Sequence, residues 1–130
     1  ELNYVEGASV AQRIIGDSSE TTGHKDLVLI ANPELKHAWK DGECTSTDIH
    51  EITLQFHPSL VEQILDKKQF QSIQELFNRA SKGVHFGTAT IEKVLPILRI
   101  LTMEKNGFYA VMKLFILLYE LSKGEDLIEL

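Results

Sequence analysis

The 130-residue chain has little cysteine, no long apolar run and no dense cluster of basic residues. Its one cysteine, Cys44, excludes an internal disulfide bond and favours a reducing, cytoplasmic environment. The longest uncharged apolar stretch, Leu114 to Tyr119, is far too short to cross a bilayer. The sequence therefore predicts a soluble, cytoplasmic protein that has no membrane partner.

Positive charge is also scarce, because 13 basic residues stand against 19 acidic ones and the net charge is −6. Only Lys67 and Lys68 are adjacent in the sequence. Proteins that bind nucleic acid directly contact its phosphates chiefly through clustered Lys and Arg side chains. We therefore do not expect these residues by themselves to bind DNA.

The common motifs of nucleotide, metal and catalytic sites are missing as well. There is no P-loop, Gly-x-Gly-x-x-Gly, paired cysteine, His-Glu-x-x-His or His-x-His motif. The five histidines are dispersed, whereas a catalytic metal usually needs three protein ligands. No nucleophile stands beside a base, and no carboxylate falls on a predicted inward face between residues 26 and 56. We therefore predict no metal, no cofactor and no enzyme activity.

What the chain does contain is an abrupt change of pattern at Pro58. Short β-branched stretches separated by turn residues precede it, and segments with helical periodicity follow it. Strands followed by helices indicate an α+β fold. The turn spacing of about ten residues is typical of an antiparallel sandwich, barrel or jelly roll. The predicted strands are residues 1–5, 9–15, 17–20, 26–31, 35–40 and 49–56.

Four helices are predicted after Pro58, over residues 58–65, 71–81, 88–103 and 108–122. The prediction divides the chain into a cupin-like barrel portion (1–57), a helical dimerisation segment (58–124) and the start of a linker (125–130). Because residues 1–5 already alternate like a strand in progress, we expect the barrel to be truncated at its N-terminus.

Four side chains are candidates for binding a small molecule: Tyr4, Arg13, His37 and Trp39. Strand parity places His37 and Trp39 on one face, with Leu35. The histidine can bind a metal, hydrogen-bond a polar ligand or pack in the core, and the tryptophan can pack or stack on a planar ligand. Arg13 can reach a ligand carboxylate or hydroxyl, or lie as a solvated charge on the barrel surface.

The last predicted helix is apolar around nearly its whole circumference. Such a helix is buried on more than one side, either within its own core or against a partner. The sequence leaves both alternatives open. The face that we predict to form a homodimer consists of Val111, Leu114, Phe115, Leu118 and Tyr119.

These features together resemble the N-terminal region of bacterial AraC-family transcriptional regulators of the cupin type. The similar stretches are residues 1–7, 14–18, 23–30, 33–39, 51–58 and 77–121. His37 matches the histidine of the second cupin motif and Glu1 resembles the glutamate of the first. The His-x-His that should precede Glu1 is missing, so metal ligation cannot be carried over to this chain.

The resemblance implies an effector-binding cupin barrel, often specific for a sugar or related metabolite, and helices that mediate dimerisation. It also implies DNA binding through a C-terminal pair of helix-turn-helix units, which these 130 residues do not include. Two alternatives remain. One is a cupin enzyme, an isomerase or a metal-dependent oxygenase, and the other is a stand-alone carbohydrate-binding module.

Overall fold

A computed structural model describes residues 1–130 as an α+β fold with two antiparallel sheets and four α-helices. The predicted α+β class and the antiparallel pairing are therefore confirmed. The strands are β1 (Leu2–Glu6), β2 (Gln12–Ile15), β3 (Ser18–Thr21), β4 (Lys25–Leu29), β5 (His37–Lys40), β6 (His50–Leu54), β7 (Val84–His85) and β8 (Ile128–Glu129). The helices are α1 (Ser59–Glu62), α2 (Gln71–Arg79), α3 (Thr88–Met103) and α4 (Gly107–Ser122).

The strands form two separate sheets and no closed barrel. Sheet A has five strands in the order β6-β1-β4-β7-β8, and sheet B has three in the order β3-β2-β5. The two sheets face each other, since Ile15 of β2 packs with Val28 and Ile30 at the end of β4. Sheet A therefore lies between sheet B on one side and the helices on the other.

The central strands of sheet A are buried on both faces. Leu27 and Leu29 of β4 belong to the helix-facing core, whereas Asp26 and Val28 point toward sheet B. Burial on two faces explains why this segment is almost continuously apolar in sequence rather than alternating. One core of 18 buried residues joins strands and helices, so residues 1–57 and 58–124 share a hydrophobic interior.

The last three helices begin and end close to their predicted limits. A 3₁₀ turn (Ala80–Lys82) extends α2 to Gly83, whose φ of +94° suits a residue without a side chain. Asn106 caps α4 by accepting a hydrogen bond from the backbone N–H of Tyr109 at 3.1 Å. The first predicted helix is shorter than expected, because only Ser59–Glu62 are α-helical.

Residues 125–130 belong to the fold, although their acidic sequence predicts the start of a linker. Ile128–Glu129 form β8 and pair with β7 at the edge of sheet A. Asp126 accepts hydrogen bonds from both the backbone N–H and the hydroxyl of Thr90 in the first turn of α3. The chain thus returns to sheet A after its last helix.

Candidate ligand-binding cleft

A cleft of about 570 Å³ opens at one end of the strands of sheet A. Because β1 is antiparallel to both β4 and β6, the first residue of β1 and the last residues of β4 and β6 lie at the same end of sheet A. Glu1, Ile30 and Gln55 therefore meet there, and His37 joins them from the first position of β5.

Helical residues form the opposite wall of the cleft. Val61 and Leu65 come from the first helical segment and its continuation, and Phe77 comes from α2. Phe77 contacts Phe56 edge to face, with ring centroids 6.1 Å apart. The cleft thus lies between the end of the sheet and the helices, and its volume falls within the usual small-molecule range of about 300–1,000 Å³.

A hydrogen-bonded group of three side chains stands at the strand side of the cleft. The Nε2 of His37 lies 3.0 Å from Glu1 Oε1, and Gln55 Nε2 donates to Glu1 Oε2 at 3.3 Å. The Nδ1 of His37 lies 3.1 Å from the backbone carbonyl oxygen of Leu35. Both partners of the imidazole are acceptors, so both bonds form together when the ring carries two protons. In that state the positive charge of His37 is balanced by Glu1.

The surroundings of Glu1 favour its charged form. Partial burial of the carboxylate raises its pKa, but the nearby Asn3 amide and the His37 ring outweigh this effect, and the pKa lies below its usual value. Asn3 itself is buried and accepts a hydrogen bond from Thr53 at 3.2 Å, while its Nδ2 makes no hydrogen bond. The strand side of the cleft is therefore polar.

Of the four predicted ligand-binding residues, only His37 lines this cleft. Tyr4 lies on the face of sheet A that packs against the helices. Its hydroxyl donates a hydrogen bond to Glu6 Oε1 at 2.7 Å. Trp39 packs beside Val5 and Ala11 between the sheets. His37 and Trp39 share one face of β5 as predicted, with ring centroids 6.0 Å apart, but Trp39 does not reach the cleft and Tyr4 lies on the other face of sheet A.

Arg13 is neither a surface charge nor a free ligand-binding group. Its side chain is 1% exposed and forms an ion pair with Asp26, and its Nη2 lies 2.7 Å from Glu20 Oε2. Trp39 Nε1 donates to the other oxygen of Asp26 at 3.3 Å, and His85 Nε2 lies 3.3 Å from Asp26 Oδ1. The expectation that no carboxylate points inward between residues 26 and 56 is therefore wrong for Asp26.

Sequence reasoning missed most of the cleft. Glu1 stands out in the sequence only through its resemblance to a cupin motif, and no local pattern marks Gln55 or Glu62 as a site residue. Their positions depend on which strand ends are neighbours in the sheet. No local sequence pattern determines that strand order. The only local signal was the abrupt transition at Pro58, since the residues around it line the cleft.

The predicted dimerisation face is divided by the structure. Leu114 and Leu118 are buried in the core of their own chain, and Phe115 packs against Phe70 with ring centroids 5.8 Å apart. Val111 is partly buried and Tyr119 is exposed. The outward side of α4 and the end of α3 instead carry a set of exposed apolar side chains, here called the outer apolar face: Ile100, Met103, Phe108, Tyr109, Met112, Ile116 and Tyr119.

Comparison with protein-family models, curated proteins and solved structures finds no match for this chain. No group of three or more His, Cys, Asp and Glu side chains is arranged to hold a metal ion. None of the helices combines the length and apolar character needed to span a bilayer.

Proposed function

We propose that this chain is the effector-sensing and dimerisation region of a cytoplasmic AraC-family transcriptional regulator. In this proposal the two facing sheets are the cupin-type sensor, and DNA is bound by a separate helix-turn-helix domain. The observation that carries the proposal is the position of α2, which lines the cleft on one side and packs on α4 on the other.

The contacts of α2 provide a route from the cleft to the outer apolar face. Phe77 and Asn78 of α2 line the cleft. Directly before α2, Phe70 packs on Phe115 of α4. The hydroxyl of Ser122, at the end of α4, donates to that of Ser72 in α2 at 2.9 Å. A ligand that shifts α2 would therefore also shift α4, whose other side is exposed.

The outer apolar face supports the dimerisation part of the proposal. Tyr109, Met112, Ile116 and Tyr119 follow one another at helical spacing along α4, and each is at least 40% exposed. Exposed apolar side chains grouped on one helix face are typical of an interaction site. A second copy of the chain presents the same face and would bury it symmetrically.

The mechanism follows from linkage between the two sites. An effector that binds one arrangement of the dimer more tightly shifts the population toward it. The attached DNA-binding domains then change their spacing, and two half-sites require two correctly spaced domains. The net charge of −6 agrees with a region that leaves DNA contact to another domain.

Sedimentation velocity tests the dimer directly. We expect the wild-type chain to be a dimer and the Ile116→Glu variant a monomer, because the substitution places a charge in the centre of the outer apolar face. Gln74→Glu is the matched control, since it adds the same charge at an exposed position of α2 and should leave the dimer intact. A wild-type monomer, or an Ile116→Glu dimer of unchanged stability, would contradict the proposal.

A further inference from the structure

The segment that follows α4, residues 125–130 and here called the C-terminal strap, connects the start of α3 to the edge of sheet A. The carboxylate of Asp126 accepts hydrogen bonds from the backbone N–H and the hydroxyl of Thr90. Its backbone carbonyl oxygen accepts a further bond from the N–H of Gly87 at 3.2 Å. A little further along the strap, β8 pairs with β7. The strap therefore joins α3 to β7.

The end of the strap reaches the space between the two sheets. Leu130 packs against the cluster that joins them, which consists of Ile15, Val28 and Ile30. Its N–H donates a hydrogen bond to the carbonyl oxygen of Gly83 at 2.9 Å. Ile30 is also a lining residue of the cleft. The strap and the cleft therefore share one buried side chain.

The helical wall of the cleft contacts the strap as well. Asn78 of α2 and Ser81 of the following 3₁₀ turn line the cleft. Arg79 lies between them in the sequence, and its Nε is 3.1 Å from Oε1 of Glu129 in the strap. A displacement of the end of α2 away from the sheet would therefore carry Arg79 away from Glu129.

One backbone carbonyl group links the two walls of the cleft to the strap. Ala31, a lining residue directly after Ile30, donates its N–H to the carbonyl oxygen of Ala80 at 3.0 Å. The same oxygen accepts the N–H of Gly83 at 3.0 Å, and Gly83 in turn is the acceptor for Leu130. A group that widens the cleft would stretch the Ala31–Ala80 bond and displace Gly83 from the strap.

The strap is held less firmly than the rest of the core. β8 has only two residues, and the side chains of Arg79 and Glu129 are 47% and 55% exposed, so solvent screens their ion pair. Leu127 and Leu130 are only partly buried. Segments with few buried contacts open locally at a free energy well below that of global unfolding. The strap is therefore able to detach while the core stays folded.

We propose that the C-terminal strap is a releasable element whose docking is controlled by the cleft, so that an occupant that widens the cleft detaches the strap from β7 and α3. This inference rests on the proposed sensor function and adds a second element, besides α4, through which the cleft acts. Because such coupling is reciprocal, detaching the strap also loosens the walls of the cleft.

Hydrogen exchange measured by NMR on the 130-residue chain reports the docked state of the strap. The first amides of a helix have no partner within the helix, and those of Gly87 and Thr90 are bonded to Asp126 instead. We expect both amides to exchange at least about a hundredfold faster than the amide of Leu118 in α4, because release of the strap leaves α4 folded. Equal rates would show that the strap opens only with the whole protein.

Cleft-filling variants test the control of the strap by the cleft. Asn78→Trp and Ser81→Trp each place a large side chain at the cleft from an exposed position. We expect the exchange rate of Gly87, divided by that of Leu118, to rise at least about fivefold. Gln74→Trp is the matched control, since it adds the same side chain to α2 outside the cleft. A ratio that stays at the wild-type value in both cleft variants would overturn the proposal.

The reverse effect is tested from the strap. Glu129→Lys replaces attraction to Arg79 by repulsion and should raise the exchange rate of Gly87 by about threefold. The amide of Ala31 in the cleft wall should exchange faster as well. Glu92→Lys, the same change at an exposed position of α3, should affect neither amide. A faster Gly87 with an unchanged Ala31 would show that the strap and the cleft are not coupled.

Sedimentation of the wild-type chain separates this inference from the proposed function. A dimer whose strap does not respond to the cleft-filling variants overturns the inference and leaves the proposed function standing. A monomer whose strap does respond contradicts the proposed function and supports the strap as a releasable element.

Discussion

The guanidinium of Arg13 and the carboxylate of Asp26 form an ion pair between the two sheets, with side chains only 1% and 2% exposed. Glu20, Trp39 and His85 complete the contacts of this pair. The space between the sheets is therefore filled here by a polar network, and the cleft lies at the end of the strands instead of in the middle of a barrel.

Replacing only one partner of this ion pair should strongly destabilise the protein. Asp26→Asn leaves the Arg13 guanidinium buried without its main counter-charge, and we expect a loss of about 3–5 kcal/mol in the free energy of unfolding. Urea denaturation followed by circular dichroism measures the loss. Replacing both partners by apolar residues, Arg13→Met with Asp26→Leu, should cost less than the single change.

Glu20→Gln is the control for that prediction. The side chain of Glu20 is 45% exposed, so its contact with Arg13 is screened by solvent and should contribute about 1 kcal/mol or less. Equal losses for Glu20→Gln and Asp26→Asn would show that burial does not decide the strength of these contacts.

Two residues of α4 should respond in opposite ways to the same substitution. Leu118 is completely buried, so Leu118→Glu places a charge in the core and should unfold the protein instead of producing a folded monomer. Ile116 is 54% exposed, and Ile116→Glu should keep the wild-type circular dichroism spectrum. A folded Leu118→Glu variant would contradict the placement of α4.

The hydrogen bonds that Asp126 accepts in the first turn of α3 predict a pH-dependent contribution to stability. Burial raises the pKa of Asp126, but hydrogen bonds from Thr90 and from backbone N–H groups outweigh burial, and the pKa lies below its usual value of 3.8. A lowered pKa in the folded state means that the stabilisation is present above pH 3.8 and is lost as the pH falls through the folded-state pKa.

Removing the Asp126 carboxylate should therefore lower the free energy of unfolding most near neutral pH. We expect Asp126→Ala to lower the free energy of unfolding by about 1 kcal/mol at pH 7, as for other helix caps, and by less below pH 3. Urea titrations over this pH range measure the difference. Glu125→Gln, an exposed neighbour, should show no such dependence.

Tyr4 should ionise late in an alkaline titration. Burial and the hydrogen bond to Glu6 raise its pKa from 10.0 to about 12. The stabilisation from the neutral phenol is present below pH 10 and is lost as the pH rises toward 12. The last component of phenolate absorbance should disappear in Tyr4→Phe and persist in Tyr109→Phe; its presence in Tyr4→Phe would contradict the assignment.

The helices could be predicted because their signals are local. The third predicted helix, 88–103, coincides with α3, since its apolar spacing lies within the segment itself. The six strands before Pro58 were also recognisable from their short β-branched stretches and turns, whereas β7 and β8 were not predicted. Residues whose environment is set within a few positions of sequence were therefore placed correctly.

The candidate site could not be predicted in the same way. Arg13 and Asp26 are 13 positions apart and meet only because β2 and β4 belong to different sheets that face each other. Similarly, Glu1 and Gln55 meet because β1 pairs with β6. These contacts depend on strand order, which short-range periodicity does not contain.

The return of the chain to β7 after α4 shields the backbone of that strand. Through β8, residues 128–129 occupy the hydrogen-bonding groups that β7 would otherwise present at the margin of sheet A. An open strand margin is a template for pairing with another molecule. A chain trimmed after Gly124 would therefore leave the outer side of β7 unpaired, and only the two-residue strand β8 now stands at this edge.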